Sequence, residues 1–179
     1  CLLRGQQGSD ALMPDVWPQG SRLVVLDGRP GQIVVSAAAR GLDRYYRIGL
    51  SSLGFDDPSY VQKVEAFEGI GLRPFAPCHL KATCSETGDI LVSWIRRTRI
   101  DGDSWLSVEV PVGEDKEQYM LRVYQGETLV RDQAATEMSW FYSLSQQAED
   151  GISRPFEIHV AQVSDRFGPG PFTRIDIND

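Results

Sequence analysis

Histidine is nearly absent from this chain of 179 residues: only His79 and His159 occur. A zinc site would need both to converge with cysteines or carboxylates, and no metal-ligand spacing surrounds either one. Cysteine is scarce too, with Cys1, Cys78 and Cys84, and an odd number leaves no complete disulfide framework. Cys78 and Cys84 flank one short run predicted as a strand, whose extended geometry holds them too far apart to bond. They are expected to be free, partly buried thiols. No apolar run is long enough to cross a bilayer, and no signal-peptide pattern is visible. The chain starts on Cys1 rather than Met and is read as a fragment, a processed product or part of something longer. A lipidated amino-terminal cysteine would need an upstream signal that is not in the sequence. Positive charge is also short: 18 Lys and Arg stand against 25 Asp and Glu, a net charge of −7. Such a surface repels a phosphate backbone, so no nucleic-acid binding is expected.

Catalytic motifs are missing as well. There is no Gly-x-Ser-x-Gly elbow. Gly5-Gln6-Gln7-Gly8 lacks the Lys-Ser/Thr and following helix of a phosphate loop, and Gly168-Pro169-Gly170 carries a proline that removes a donor. Asp101-Gly102-Asp103 and Glu114-Asp115 admit a reading as calcium ligands or paired acids. A calcium loop needs more oxygens in a fixed order, and Asp-Gly is ordinary turn chemistry. No catalytic residue, cofactor site or metal site is therefore expected, and the chain is read as a non-enzyme.

What the sequence does contain is frequent punctuation. Gly occurs 17 times and Pro 10 times, falling between short apolar runs, while no long stretch carries a helical apolar stripe. The fold class expected is mainly β. In the first part, residues 1–75, strands are predicted at 21–27, 32–35 and 44–50. Residues 57–68 admit either a helix, from Asp57-Pro58 and the spacing of Tyr60, Val64 and Phe67, or a returning strand; the strand is preferred. Gly71-Leu72-Arg73-Pro74-Phe75-Ala76-Pro77 is a stiff connector, since each proline fixes its own φ and biases its predecessor to extended geometry. A domain boundary is placed there, with a second domain at 76–179.

The second part alternates clearly. Ile90, Val92 and Trp94 share one strand face; Tyr119, Leu121 and Val123 another; Phe156, Ile158 and Val160 a third. Trp140, Tyr142 and Leu144 are read as one face of a further strand. With runs at 79–83, 128–131 and 172–177 this makes seven short strands over roughly 100 residues, as in an immunoglobulin-like sandwich. Trp94 facing Tyr119 would suit the core between two sheets.

Three blocks resemble a fibronectin type III domain: Leu91-Val92-Ser93-Trp94, Gln118-Tyr119-Met120-Leu121-Arg122-Val123, and Phe156 to Ser164 followed by Gly168-Pro169-Gly170-Pro171. The family's usual tyrosine, at the start of the penultimate strand, is here Phe156, which has no hydroxyl to make a tyrosine corner. A narrower resemblance runs through Leu3-Arg4-Gly5-Gln6, residues 71–82, Trp94-Ile95-Arg96-Arg97-Thr98-Arg99 with the following residues to Trp105, and Val160 to Ser164. These are similar to the carboxy-terminal part of large host-specificity proteins of gene transfer agents and related siphophages. Larger members look to carry an enzyme-like barrel, nothing of which matches here. The resemblance implies a virion tail-tip or baseplate location, a role in host attachment and genome delivery, a threefold homo-oligomer, other tail-tip proteins as partners and a host cell-surface receptor. The other class kept open is a spacer or binding module of a secreted bacterial hydrolase.

Four residues are singled out as a possible interface: Arg96, Arg97, Arg99 and Trp105. An arginine run in an acidic chain is either a solvated strand end or a patch that pairs with a neighbour's carboxylates. Trp105 would offer a face for arginine stacking. Trp17 and the Tyr45-Tyr46 pair are read as core or subunit packing.

Overall fold

The computed structural model describes residues 13, 14, 16–22, 25, 27, 28, 31, 33–102 and 109–178. It divides into two compact units, one of them Pro14–Ile70 and the other containing Gly71–Asp179.

In the first unit, β1 (Asp43–Ile48) pairs antiparallel with β2 (Val61–Ala66), setting Tyr45 opposite Val64 and Tyr46 opposite Lys63. Residues 57–68 thus form a returning strand, not a helix. Asp57 caps a turn instead, its carboxylate accepting from the Ser59 amide at 2.9 Å and hydroxyl at 2.6 Å. The loop between the strands is held by Tyr60, whose hydroxyl donates to the Leu50 carbonyl at 2.8 Å. The Arg47 guanidinium lies 4.6 Å from the Phe55 ring centre. Gly49 is required there, because a Cβ would sit 2.5 Å from the Tyr60 ring. The strands expected at 21–27 and 32–35 are not observed: Ser21, Arg22, Val25, Asp27 and Ile33–Val35 lie outside any strand, and the remaining residues of both runs lie outside the described set. β-Branched composition only favours a pleated surface. It becomes a strand when a neighbour takes up its backbone donors and acceptors; Val34 is 90% exposed.

The second unit is a β-sandwich. Its strands are β3 (Cys78–Cys84), β4 (Ile90–Ile95), β5 (Tyr119–Gln125), β6 (Thr128–Ala135), β7 (Ser139–Tyr142), β8 (Phe156–Ser164), the two-residue β9 (Gly168–Pro169) and β10 (Thr173–Ile177). One sheet runs β3-β4-β7; the other runs β10-β8-β5-β6, with β9 attached to β8. All pairings are antiparallel. Two consecutive strands on one sheet, two on the other, one back and then β8 and β10 crossing again is the fibronectin type III arrangement. The core joins the sheets: Ile90, Val92, Trp94 and Tyr142 from the first meet Tyr119, Leu121, Val123, Phe156, Ile158, Val160 and Ile177 from the second. Burying each large apolar side chain contributes about 1.5–3 kcal/mol. Trp94 meets Tyr119 edge-on, with ring centres 5.1 Å apart, as the alternation predicts.

Leu144 does not extend β7. It opens α1 (Leu144–Glu149), a short helix with a capping box in which Ser143 and Gln146 satisfy each other's backbone amides. The Ser-x-x-Gln spacing was readable as a helix start but lay inside an apparent strand alternation. The helix is tied to the β3–β4 turn: the Leu144 amide donates to the Asp89 carboxylate at 2.8 Å, and the Gln147 amide donates to the Gly88 carbonyl at 3.0 Å.

The proline connector packs into this unit. Thr173 donates its hydroxyl to the Pro77 carbonyl. Gly170 lies so close to Pro74 that a Cβ would stand 2.3 Å from its carbonyl oxygen. Cys78 and Cys84 are free thiols, Cys78 half-buried and Cys84 exposed rather than partly covered.

Candidate functional site

The arginine run sits where β4 leaves the sheet and enters the long connection to β5. β4 alternates buried and exposed residues, so Arg96, two positions beyond Trp94, also points inward. Its side chain is only 5% exposed. An unpaired guanidinium there would be costly, and the far end of the same connection supplies the compensation. Arg96 donates to the Glu109 carboxylate at 2.8 Å and to the Pro111 carbonyl at 3.2 Å. Its Nε lies 3.5 Å from a Glu117 carboxylate oxygen. Glu117 in turn accepts from the Tyr119 hydroxyl at 2.7 Å. Burial, followed by the neighbouring Glu117 carboxylate, pushes the Tyr119 phenol well above its ordinary range.

The other two arginines repeat the theme. Arg99 donates to Glu114 at 2.7 Å, and the Glu114 side chain is nearly buried. Arg97 lies over the Phe75 ring at 4.9 Å, a cation–π contact with the proline connector. One step further, Asp115 accepts two hydrogen bonds from Arg166. The β4–β5 connection is therefore basic where it starts and acidic where it ends, and it closes on itself. Glu114 and Asp115, weighed above as calcium ligands or paired acids, are partners of Arg99 and Arg166. Sequence reading found the arginines but did not pair them with their acids: Glu109 and Glu114 lie 13 and 15 residues from Arg96 and Arg99, and Glu117 is further along the same connection. The signal was available as a clustering of Glu109, Glu114, Asp115 and Glu117 just before the next strand. Trp105 lies outside the described residues.

A second polar cluster holds the opposite side of the core. Asp150 accepts hydrogen bonds from the Nε and one terminal nitrogen of Arg131, at 2.6 and 3.0 Å, and from the Tyr142 hydroxyl. Burial alone would raise the Asp150 carboxyl, but these hydrogen bonds and the guanidinium charge outweigh it and hold the group below its ordinary value. Burial, with Asp150 adding to it, pushes the Tyr142 phenol upward.

The corner before β8 shows how the missing tyrosine is replaced. Phe156 is buried and meets Tyr142 edge-on at 6.3 Å. The hydrogen bonds come from Gln125 at the end of β5: its amide donates to the Pro155 carbonyl at 3.0 Å and accepts from the Ser153 amide at 2.9 Å.

The histidines are on different sheets. His79, with φ 52°, sits at a bulge in β3. His159 in β8 bonds Glu157 at 2.7 Å and packs beside Tyr124. Among the described residues no group of three or more His, Cys, Asp and Glu side chains is placed to hold a metal ion.

No protein-family model matches the chain, and no curated protein sequence matches it. Solved structures do. The rat CD45 extracellular region, domains d3–d4, is similar over 92% of this chain and 80% of that one, at 12% identity and a TM-score of 0.41. The FN5 domain of Drosophila Lar is similar over 59% of this chain and 98% of that one, at 16% identity and a TM-score of 0.35. Likeness at this level carries no argument about function. The fold rests on the strand order and the core: the second unit is a fibronectin type III-like sandwich.

Proposed function

We propose that this chain is a structural, non-catalytic component of a phage-like tail tip or baseplate, acting in host attachment and genome delivery. The sandwich serves as a spacer or as a module facing a host cell-surface receptor, and the first unit packs against other tail-tip proteins. The observation that carries this reading, beside the sequence resemblance at residues 94–99, is the composition of the first unit's surface. Tyr45 is 84% exposed and Phe55 70%, and Ile48, Leu50 and Val61 are exposed as well. Ala39 is its one buried apolar side chain among the described residues. A lone two-stranded hairpin is marginal in water, and apolar surface of this extent marks a region that other chains cover.

Immunogold imaging of intact particles with an antibody against residues 76–179 tests the assignment. Label confined to the distal end of tails supports it. Protein found free in the medium, or joined to a secreted hydrolase, removes it and leaves the accessory-module reading in its place.

A further inference from the structure

β2 is a strand with no buried residue: Val61 to Glu65 are all exposed, and only Ala66 is partly covered. One edge of β2 pairs with β1, and no strand among the described residues occupies the other. An open edge offers a row of unpaired backbone donors and acceptors. Such edges are commonly guarded by an uncompensated lysine, but Lys63 is neutralised by Glu65 at 2.7 Å on the same face. We propose that two copies of this chain join through this edge, β2 against β2, antiparallel about a twofold axis at Val64.

The register follows from the sequence of the strand. A twofold axis perpendicular to the sheet keeps each face on its own side, so the strand must pair about a residue and not between two. Pairing about Lys63 sets Lys63 against Lys63, and pairing about Glu65 sets Glu65 against Glu65. Like charges directly opposite are unfavourable. Pairing about Gln62 or Ala66 sets Val61 against Lys63 or Glu65 against Phe67, a charge on an apolar side chain in either case. Pairing about Val61 sets most of β2 against residues 58–60, which lie outside the strand. Pairing about Val64 avoids all of these faults. Val64 then meets Val64 of the second copy, and Lys63 meets Glu65 of the second copy twice over, since the contact is isologous.

The rest of the hairpin agrees with that register. Tyr45 is opposite Val64 within the hairpin, so one face gains an apolar row of Tyr45 and Val64 followed by Val64 and Tyr45 of the second copy. On the other face Arg44 is opposite Glu65 and Tyr46 opposite Lys63. The row there reads Arg44, Glu65, then Lys63 and Tyr46 of the second copy, with charges alternating. Ile48 is opposite Val61, and Val61 faces Phe67 of the second copy. A marginal two-stranded hairpin thereby becomes a four-stranded sheet.

Sedimentation equilibrium of the 179-residue chain over a range of concentrations tests this, with the sandwich's own circular dichroism melt as a folding control. The expected result is a monomer–dimer equilibrium. Lys63→Glu or Glu65→Lys alone should weaken it about tenfold, and the double variant K63E/E65K should restore it, because the symmetry exchanges the two positions. In a background with Cys1, Cys78 and Cys84 changed to serine, Val64→Cys should form a disulfide-linked dimer on oxidation, and Val61→Cys should not. A monomer at every concentration overturns the proposal. So does a dimer indifferent to both charge reversals, or the threefold assembly that the resemblance implies, which would need a different contact. Particle labelling and this experiment are independent: failure of the tail-tip reading leaves the pairing standing, and the reverse holds too.

Discussion

β2 and β4 are both six-residue strands with apolar residues at intervals, yet they meet opposite fates. In β4, Ile90, Val92 and Trp94 are buried and their neighbours face outward. In β2, Val61 and Val64 are on opposite faces and both are exposed. The difference lies in period. Side chains alternate every two residues in a strand, so apolar residues spaced by two build one face that a second sheet can cover. Apolar residues spaced by three are split between faces, and neither face is apolar enough to bury alone. One unit is therefore organised around an internal core, while the other presents its apolar groups outward.

That contrast is sharpest at single side chains. Trp94→Ala should lower the unfolding free energy of the sandwich by about 3–5 kcal/mol, the cost of a large cavity in a packed core. Tyr45→Ala in the hairpin should change it by less than about 0.5 kcal/mol. Urea melts followed by circular dichroism compare the two, and equal effects would erase the distinction.

Glycines extend the comparison to the backbone. Gly170→Ala forces a Cβ against the Pro74 carbonyl and should cost about 3 kcal/mol. Gly54→Ala, with nothing within 4 Å and no left-handed φ, should be neutral or slightly stabilising in the same melts.

Arg96 comes next. Replacing it with alanine leaves Glu117 without its guanidinium neighbour and opens packing under the loop, at about 2–3 kcal/mol. Lys63→Ala, removing an exposed pair, should cost the isolated monomer under about 0.5 kcal/mol. If both substitutions proved silent, the buried staple would be no stronger than a surface contact.

The smallest effects are in pH. The Asp150 carboxyl is held below its ordinary 3.8, so the stability it contributes is present above that value and lost as pH falls through the lower folded one. Tyr119 and Tyr142 are raised from 10.0. Their contribution is complete below 10.0 and lost as pH climbs towards their folded values. Asp150→Asn should cost about 1–2 kcal/mol at neutral pH and flatten the acid limb of a melt-versus-pH curve. An unchanged acid limb would show that other carboxylates govern it.

The same contrast explains what could be read in advance. Trp94, Tyr119 and Ile158 announced their strands because a two-sheet core leaves a period-two imprint on each. Val25 and Ile33 to Val35 offered a similar composition, but a strand exists only with a partner, and pairing is a property of the whole fold. α1 hid because Leu144 completes an alternation begun by Trp140 and Tyr142, while the decisive residues were the polar Ser143 and Gln146. At the candidate site the arginines stood out as a run. Their acids were dispersed along the connection, and only its return brings Glu109 and Glu117 to Arg96.

Gln125 carries a consequence for the order of assembly. A tyrosine corner closes on backbone a few residues away and can form while the rest of the chain is open. Here the corner before β8 is bonded by a side chain 28 to 30 residues distant in sequence. Closing so long a loop has an entropic cost that local contacts avoid, so these bonds form only after β5 has docked beside β8. Gln125→Ala should accordingly speed unfolding and leave the folding rate almost unchanged.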